Sequence, residues 1–505
     1  MQDSLLHMIK TQRFFKIAIF LLFLSVALSG ILRHELWADE AHHWLLARDS
    51  KSIGDLIHNM RYDGHPMLWN ILLFFVTSFT HNPLSMQLLH LVISSLAIFI
   101  FIHCAPFSRP QKSLFIFGYF SLFEYTVISR NYALVLLFFF LILTLYSKRE
   151  KSFIWMGVTI AALSNTHLFG LIIALSFMVV LAFDFFRQQV SQTLRTKRVI
   201  GLLIALFGVG LSPAQIIPPS DSLMLKGIAN PIPIADKINR TIVFIVKGFL
   251  PIPNFNNYHF WNSNIFNAYP SALWGISIIL FLVPGILFFR QVRAMIFFYA
   301  GCLGMAAFFF FIGFSGVRYY GMIYIIFVGA SWLRLLSPNH STQDNTLKTG
   351  PSLPQPASFK WTISLLFLIH TCTGLIAYTK DILHPFSESK EVAQYIKKNN
   401  LENLPIMTEP FNATGICAYF DKKFFIIQLS DWGTFCRWNI PSRSLTAEEV
   451  VQEALRKASK EKQVCLLIYS SPLENTGNNN RIALLKRFNK GIVRWENFYL
   501  YKIMP

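Results

Sequence analysis

Between residues 15 and 378 long apolar runs alternate with short polar breaks. A helix needs about 20 mostly apolar residues to cross a bilayer. Such runs fall near 15–32, 84–104, 113–128, 132–147, 153–168, 169–186, 199–217, 268–289, 294–314, 320–336 and 361–378. The pattern predicts a polytopic α-helical membrane protein with a core of about 11 transmembrane helices. The first run follows Lys10, Arg13 and Lys16. It is long for the apolar part of a signal peptide, so it reads as an uncleaved first span.

Alternating crossings place Arg109 and Lys112, Lys148 to Lys151, Arg187 to Arg198, Arg290 and Arg293, and Arg334 to Lys360 on one side. Basic loops are retained in the cytoplasm, so the N-terminus is expected inside. Two outer segments follow, 33–83 and 213–269. The apolar stretch 67–79 cannot be a span without turning every later basic loop outward. It is therefore expected to lie in the membrane interface beside a second short helix at 39–48. The piece 241–250 reads as interfacial or re-entrant.

After residue 378 the pattern becomes that of a soluble domain. It predicts a helix at 387–398, strands at 405–408 and 423–429, a helix at 446–460, a strand at 464–469, a helix at 481–488 and a strand or hairpin at 492–503. Residues 385–505 thus form a small α/β domain, outside by parity, behind a transmembrane core of 1–378. Residues 337–358 read as a flexible linker.

Composition sharpens this picture. The chain is 53% hydrophobic and only 14% charged, against about a quarter charged in soluble proteins, which excludes a soluble enzyme. Lys plus Arg exceed Asp plus Glu by 45 to 26. Because that surplus sits in the inner loops, it marks topology rather than a nucleic-acid partner. The six cysteines form no C-x-x-C pair; Cys417 and Cys436 lie where a disulfide could form in an oxidising compartment.

Candidate chemistry gathers at the outer ends of the spans. Asp39 and Glu40 stand among aromatics in Trp37-Ala38-Asp39-Glu40-Ala41-His42-His43-Trp44. They suit either a site or a helix N-terminus with Asp39 as its cap. His42 and His43, adjacent on a helix, point apart and make no metal pair. In Asp63-Gly64-His65-Pro66, His65 can donate to an anion. Glu124, a turn deeper than Arg130 in Ser129-Arg130-Asn131-Tyr132, needs a partner or a polar cavity. Asn165-Thr166-His167 interrupts an apolar stretch, and Arg318-Tyr319-Tyr320 opens a late span.

Taken in order, Asp-Glu-Ala, His-Pro-x-Leu-Trp, Ser-Arg-x-Tyr-Ala-Leu, Thr-His-x-Phe-Gly and Arg-Tyr resemble the type C glycosyltransferases (GT-C) that use polyprenyl-phosphate sugars. This group includes protein O-mannosyltransferases and bacterial aminoarabinose and lipopolysaccharide-core sugar transferases. The resemblance covers about residues 15 to 336. It implies a GT-C-like core in a bacterial inner membrane, a polyprenyl-phosphate sugar donor, and a glycan, lipid or protein acceptor on the periplasmic side. It implies Asp39 as catalytic base with Glu40 as its acidic neighbour, and Arg318 on the donor phosphate. His65, Arg130, Lys247 and Arg240 are further phosphate candidates, and Glu124, Tyr132, His167 and Tyr319 pocket residues. The family's second acid after Ser-Arg is missing unless Glu124 replaces it, so no metal ligand is assigned and a divalent cation stays open. The expected reaction is sugar transfer with inversion; the alternative is a transporter or flippase of a lipid-linked sugar.

Overall fold

The computed structural model describes residues 2–187, 191–229, 232–336, 356–473 and 480–505. The expected linker lies mostly outside them. The chain begins with α1 (Gln2–Arg33), α2 (Ala38–Arg48), α3 (Ile53–Met60), α4 (Leu68–Thr77) and α5 (Leu84–Cys104). There follow α6 (Arg109–Ile116), a π-helical stretch (Tyr119–Val127), α7 (Tyr132–Ser147), α8 (Arg149–Ser164), α9 (Leu168–Arg187) and α10 (Gln192–Ile216). Then come α11 (Leu223–Ala229), α12 (Ile234–Phe249), α13 (Pro270–Phe288), α14 (Val292–Phe311), α15 (Val317–Leu336) and α16 (Ala357–Leu383).

Among the described residues, eight helices are long and apolar enough to cross a membrane: α1, α5, α9, α10, α13, α14, α15 and α16. The other three expected spans are helical but short. The run at 113–128 is broken at Gly118, which turns to an extended conformation (ψ 161°) between α6 and the π-helical stretch. Here α16 crosses so closely that a Cβ on Gly374 would collide with the backbone of Gly118 and Tyr119. Lys148, at φ −118°, separates α7 from α8, each of 16 residues.

The polar ends of this bundle are different. At one end the buried Asp184 of α9 accepts from Tyr146 of α7 (2.6 Å) and Arg293 of α14 (2.6 Å). The opposite ends of α7 and α9 lead to Tyr132 and His167, and the segment 33–83 packs there, with the His65 ring 5.0 Å from that of His167. α7 separates the two ends by about 24 Å.

The C-terminal part adds α17 (Ser389–Lys398), β1 (Ile406–Thr408), α18 (Thr414–Cys417), β2 (Phe424–Ile426), β3 (Asp431–Gly433), α19 (Ala447–Glu461), β4 (Cys465–Tyr469), β5 (Ile482–Phe488) and β6 (Phe498–Ile503). The sheet order is β3-β2-β1-β4-β6-β5. β1 is parallel to β2 and β4, and the other pairs are antiparallel. Residues 481–488, expected as a helix, are strand β5: they pair along their length with β6, from Ile482 opposite Ile503 to Phe488 opposite Phe498, around a bulge at Leu484/Lys486. The bulge breaks strict alternation, which is why the apolar spacing imitates a helix. Cys417 and Cys436 are both free.

Side chains alternate across a strand, and this sheet is covered on both faces. Met407, Cys465, Leu467 and Tyr501 pack under α19 with Val450, Val451 and Ala454. Ile406, Leu466, Ile468 and Leu500 pack into one core with Trp44 and Leu45 of α2, Trp69 and Leu73 of α4, and Val392 and Ile396 of α17. Helix α2, expected at the membrane interface, is instead buried along nearly its whole length, from Ala38 to Ala47, with only Asp39 partly exposed. The sheet domain covers it.

Candidate functional site

Helix α2 begins after Trp37, which occupies the N-cap position expected for Asp39. Asp39 therefore lies inside the first turn. The spacing i, i+3, i+4 brings Asp39, His42 and His43 onto one helix face, and all three line a cavity of about 610 Å³; the two histidines, expected to point apart, face the same space with ring centroids 5.8 Å apart. Asp63 and His65, from the loop after α3, complete this polar wall. Ile232, Ile312 and Phe314 form an apolar side, while Phe411 and Trp438 of the C-terminal domain close another. Arg240 and Tyr319 also reach the lining.

The Asp39 carboxylate is the meeting point of two cations. Arg318 Nη2 approaches Oδ2 at 3.1 Å, and Arg130 Nη1 binds the same oxygen while donating to the Asp39 carbonyl at 2.9 Å. Burial alone would raise the Asp39 pKa, but the guanidiniums of Arg130 and Arg318 hold it well below the usual carboxylate range. Arg318 lies 4.9 Å from the centroids of both Trp37 and Tyr319, and its Nη2 donates to the Tyr319 hydroxyl at 3.1 Å. Such stacking fixes the guanidinium plane and leaves its edge to bind anions. Two cations face one carboxylate, so this corner carries an excess positive charge; Arg130 and Arg318, expected in the lining as phosphate-binding residues, stand behind Asp39 and are not themselves part of it.

A second buried pair stands beside it. His42 Nε2 donates to Asp63 Oδ1 at 2.9 Å. Burial would raise the Asp63 carboxyl; His42, hydrogen-bonded to it, holds it low instead. His43 Nδ1 contacts Asn70 Oδ1 at 3.0 Å, and burial pushes its pKa down to about 3, keeping it neutral. His65 uses Nδ1–H on the Asp63 carbonyl at 2.7 Å, and burial lowers its pKa. A neutral His65 thus has a lone pair, not a donor, on Nε2, which weakens the phosphate role expected of it.

Other expected site residues are placed behind this wall or away from it. The His167 ring lies 5.0 Å from His65 and 4.8 Å from Tyr132. Phe169 N donates to His167 Nδ1 at 3.1 Å, so the buried Nε2 carries the proton and has no protein partner; the Tyr132 hydroxyl also lacks one. Glu124 accepts from Tyr119 (3.0 Å) and Trp261 (2.8 Å), one aromatic layer from Arg318 through the Trp261–Trp37 contact. Lys247 sits 5.3 Å over the Tyr320 ring and does not line the cavity.

Glu40 points away from Asp39. It accepts from Ser129 N at 2.5 Å and from His34 Nε2 at 3.0 Å, while His34 Nδ1 reaches Asp381 at 2.9 Å. Burial opposes charge on His34, but its two carboxylates raise its pKa to about 10, so it is an imidazolium. Glu40 joins α1, α2 and α16 rather than facing the cavity.

Among the described residues, no group of three His, Cys, Asp or Glu side chains is arranged to hold a metal. Asp39 is taken up by guanidiniums and Asp63 by His42, so the donor set does not fit a divalent cation. The pairing of Asp63 with His42 was hidden in the sequence because it depends on how the loop folds back over α2. Phe411 and Trp438 gave no signal at all, being brought in from the other end of the chain. No family model, curated protein or solved structure matches this chain.

Proposed function

We propose that this chain is a polytopic membrane glycosyltransferase of the GT-C kind. It moves a sugar from a polyprenyl-phosphate donor to an acceptor on the periplasmic side of a bacterial inner membrane, with about 11 crossings and the basic loops in the cytoplasm. One observation carries the reading. A single cavity joins an apolar side, where Ile232 and Phe314 are exposed, to a polar wall where Asp39 stands in front of two guanidiniums that bind its carboxylate from behind. An apolar chain and an anionic head are what such a cavity accommodates.

The charge arrangement gives the chemistry. The donor phosphate meets the excess positive charge and draws Arg318 to its oxygens, freeing one side of Asp39. Asp39 then accepts the proton as the acceptor hydroxyl oxygen attacks the anomeric carbon. The bond from that carbon to phosphate oxygen breaks, and Arg318 and Arg130 stabilise the departing polyprenyl phosphate. Direct displacement inverts the anomeric centre. Arg240, held against Gly313 (φ +78°), where a Cβ would overlap its guanidinium, supplies a further cation at the lining.

The test uses purified protein with undecaprenyl phosphate carrying a radiolabelled sugar, plus an envelope extract as acceptor source. Release of free undecaprenyl phosphate together with labelled product is expected. Arg318→Lys should lower the rate by about 10²–10³-fold, since an ammonium cannot reproduce the planar fork. Passage of intact donor across proteoliposomes without cleavage would replace this reading with transport.

A further inference from the structure

We infer that the C-terminal domain builds a carbohydrate-binding acceptor subsite from Trp438 and Phe411, with His42 as the hydrogen-bonding group between them; this rests on the transferase reading. Phe411 and Trp438 lie 5.7 Å apart at an interplanar angle of 51° on one side of the cavity. The His42 ring is 6.2 Å from Phe411 and 6.3 Å from Trp438. Nε2 is committed to Asp63, and the buried Nδ1 of the same ring has no partner.

Two further features show that this corner is built. Phe411 has φ +65°, a left-handed conformation costly for a bulky side chain and characteristic of ligand clamps. The Trp438 carbonyl accepts from Leu223 N at 2.7 Å, which ties the aromatic wall to the loop helix α11, whose Leu223 also lines the cavity.

The combination selects a ligand. The Asp63 carboxylate beside this atom repels phosphate, so the donor head belongs at Arg318 instead. A polyprenyl chain would leave Nδ1 unsatisfied, which is costly for a buried polar atom. A sugar ring satisfies both halves of the corner, with its C–H face on the aromatics and a hydroxyl, able to donate or accept, bonded to Nδ1. Asp39 lies one turn away on the same face of α2, so a neighbouring hydroxyl of that ring is set toward the base.

The experiment is binding of the detergent-solubilised full chain to an array of bacterial lipopolysaccharide cores, O-antigens, capsular polysaccharides and Ser/Thr peptides. Wild type should bind glycans. Trp438→Ala should lose about tenfold in affinity, the scale of one aromatic contact, with its melting temperature near wild type, and Trp438→Phe should recover most of the loss. His42→Phe, which keeps an aromatic ring but removes the polar Nδ1, should also weaken binding. No glycan binding by wild type, capture of peptides alone, or equal binding by Trp438→Ala and wild type would overturn the subsite. Binding of undecaprenyl phosphate to the wild-type chain is measured in parallel. Its loss would strike the donor reading, and leaves the array result to decide the subsite by itself.

Discussion

Asp39 and Glu40 are neighbours with opposite duties. Consecutive residues on a helix are turned about 100° apart, so Asp39 meets Arg130 and Arg318 while Glu40 meets His34 and Ser129. Sequence order could locate the acidic pair but not divide it, because only the Trp37 cap sets the phase of α2. Asp39→Asn is expected to abolish transfer. It also leaves two guanidiniums facing each other with no carboxylate, and an uncompensated buried charge costs about 3–5 kcal/mol. The variant should therefore melt at a lower temperature than wild type. Millimolar inorganic phosphate should restore much of that difference by taking the place of the carboxylate. Differential scanning fluorimetry with and without phosphate checks this; a variant that melts like wild type and ignores phosphate would contradict the clamp.

Elements were legible where apolar periodicity alone decided them. The expected helices at 387–398 and 446–460 match α17 and α19, the latter begun by the reciprocal Thr446 and Glu449 capping box. Long-range contacts decided the rest: α16 crossing at Gly118 splits a span, and β6 turns 481–488 into a strand. The junction of α1, α2 and α16 is likewise non-local, held by His34 between Glu40 and Asp381. The folded-state pKa of His34, raised to about 10, means that its stabilisation is complete below about 6.5 and is lost as pH rises through 10. Glu35, whose burial and contact with Glu391 push it up to about 11, acts in the same direction, since the folded chain holds a proton that the unfolded chain releases. Melting temperature should thus fall from pH 7 to pH 10. His34→Gln should start lower and fall less steeply; a slope as steep as wild type would remove His34 from that role.

Across the whole molecule, the Asp184 cluster and the cavity occupy opposite ends of the bundle. Arg149 and Arg293 gather around Asp184 at one end, and the cavity opens beyond Tyr132 and His167 at the other. If basic loops are cytoplasmic, alkaline phosphatase fused after Pro505 should be active and green fluorescent protein fused there dark; the reverse pattern would invert the orientation. The C-terminal domain is the part least legible in sequence. Several of its elements could be anticipated, but nothing local announces that Leu466 and Ile468 share a core with Trp44 and Trp69. That shared core changes what truncation does. Removing 385–505 from a detachable acceptor module would spare donor binding. Here it uncovers α2, the helix that carries Asp39, and strips apolar neighbours from Trp44, Leu45 and Trp69, each fully buried. Burying such a side chain is worth about 1.5–3 kcal/mol, so the loss spans several residues and reaches the clamp itself. The truncated chain should lose undecaprenyl-phosphate binding together with transfer, and trypsin should cut its 33–83 segment faster than in the full chain. Donor binding at the wild-type level after truncation would mean that α2 holds its place without the sheet.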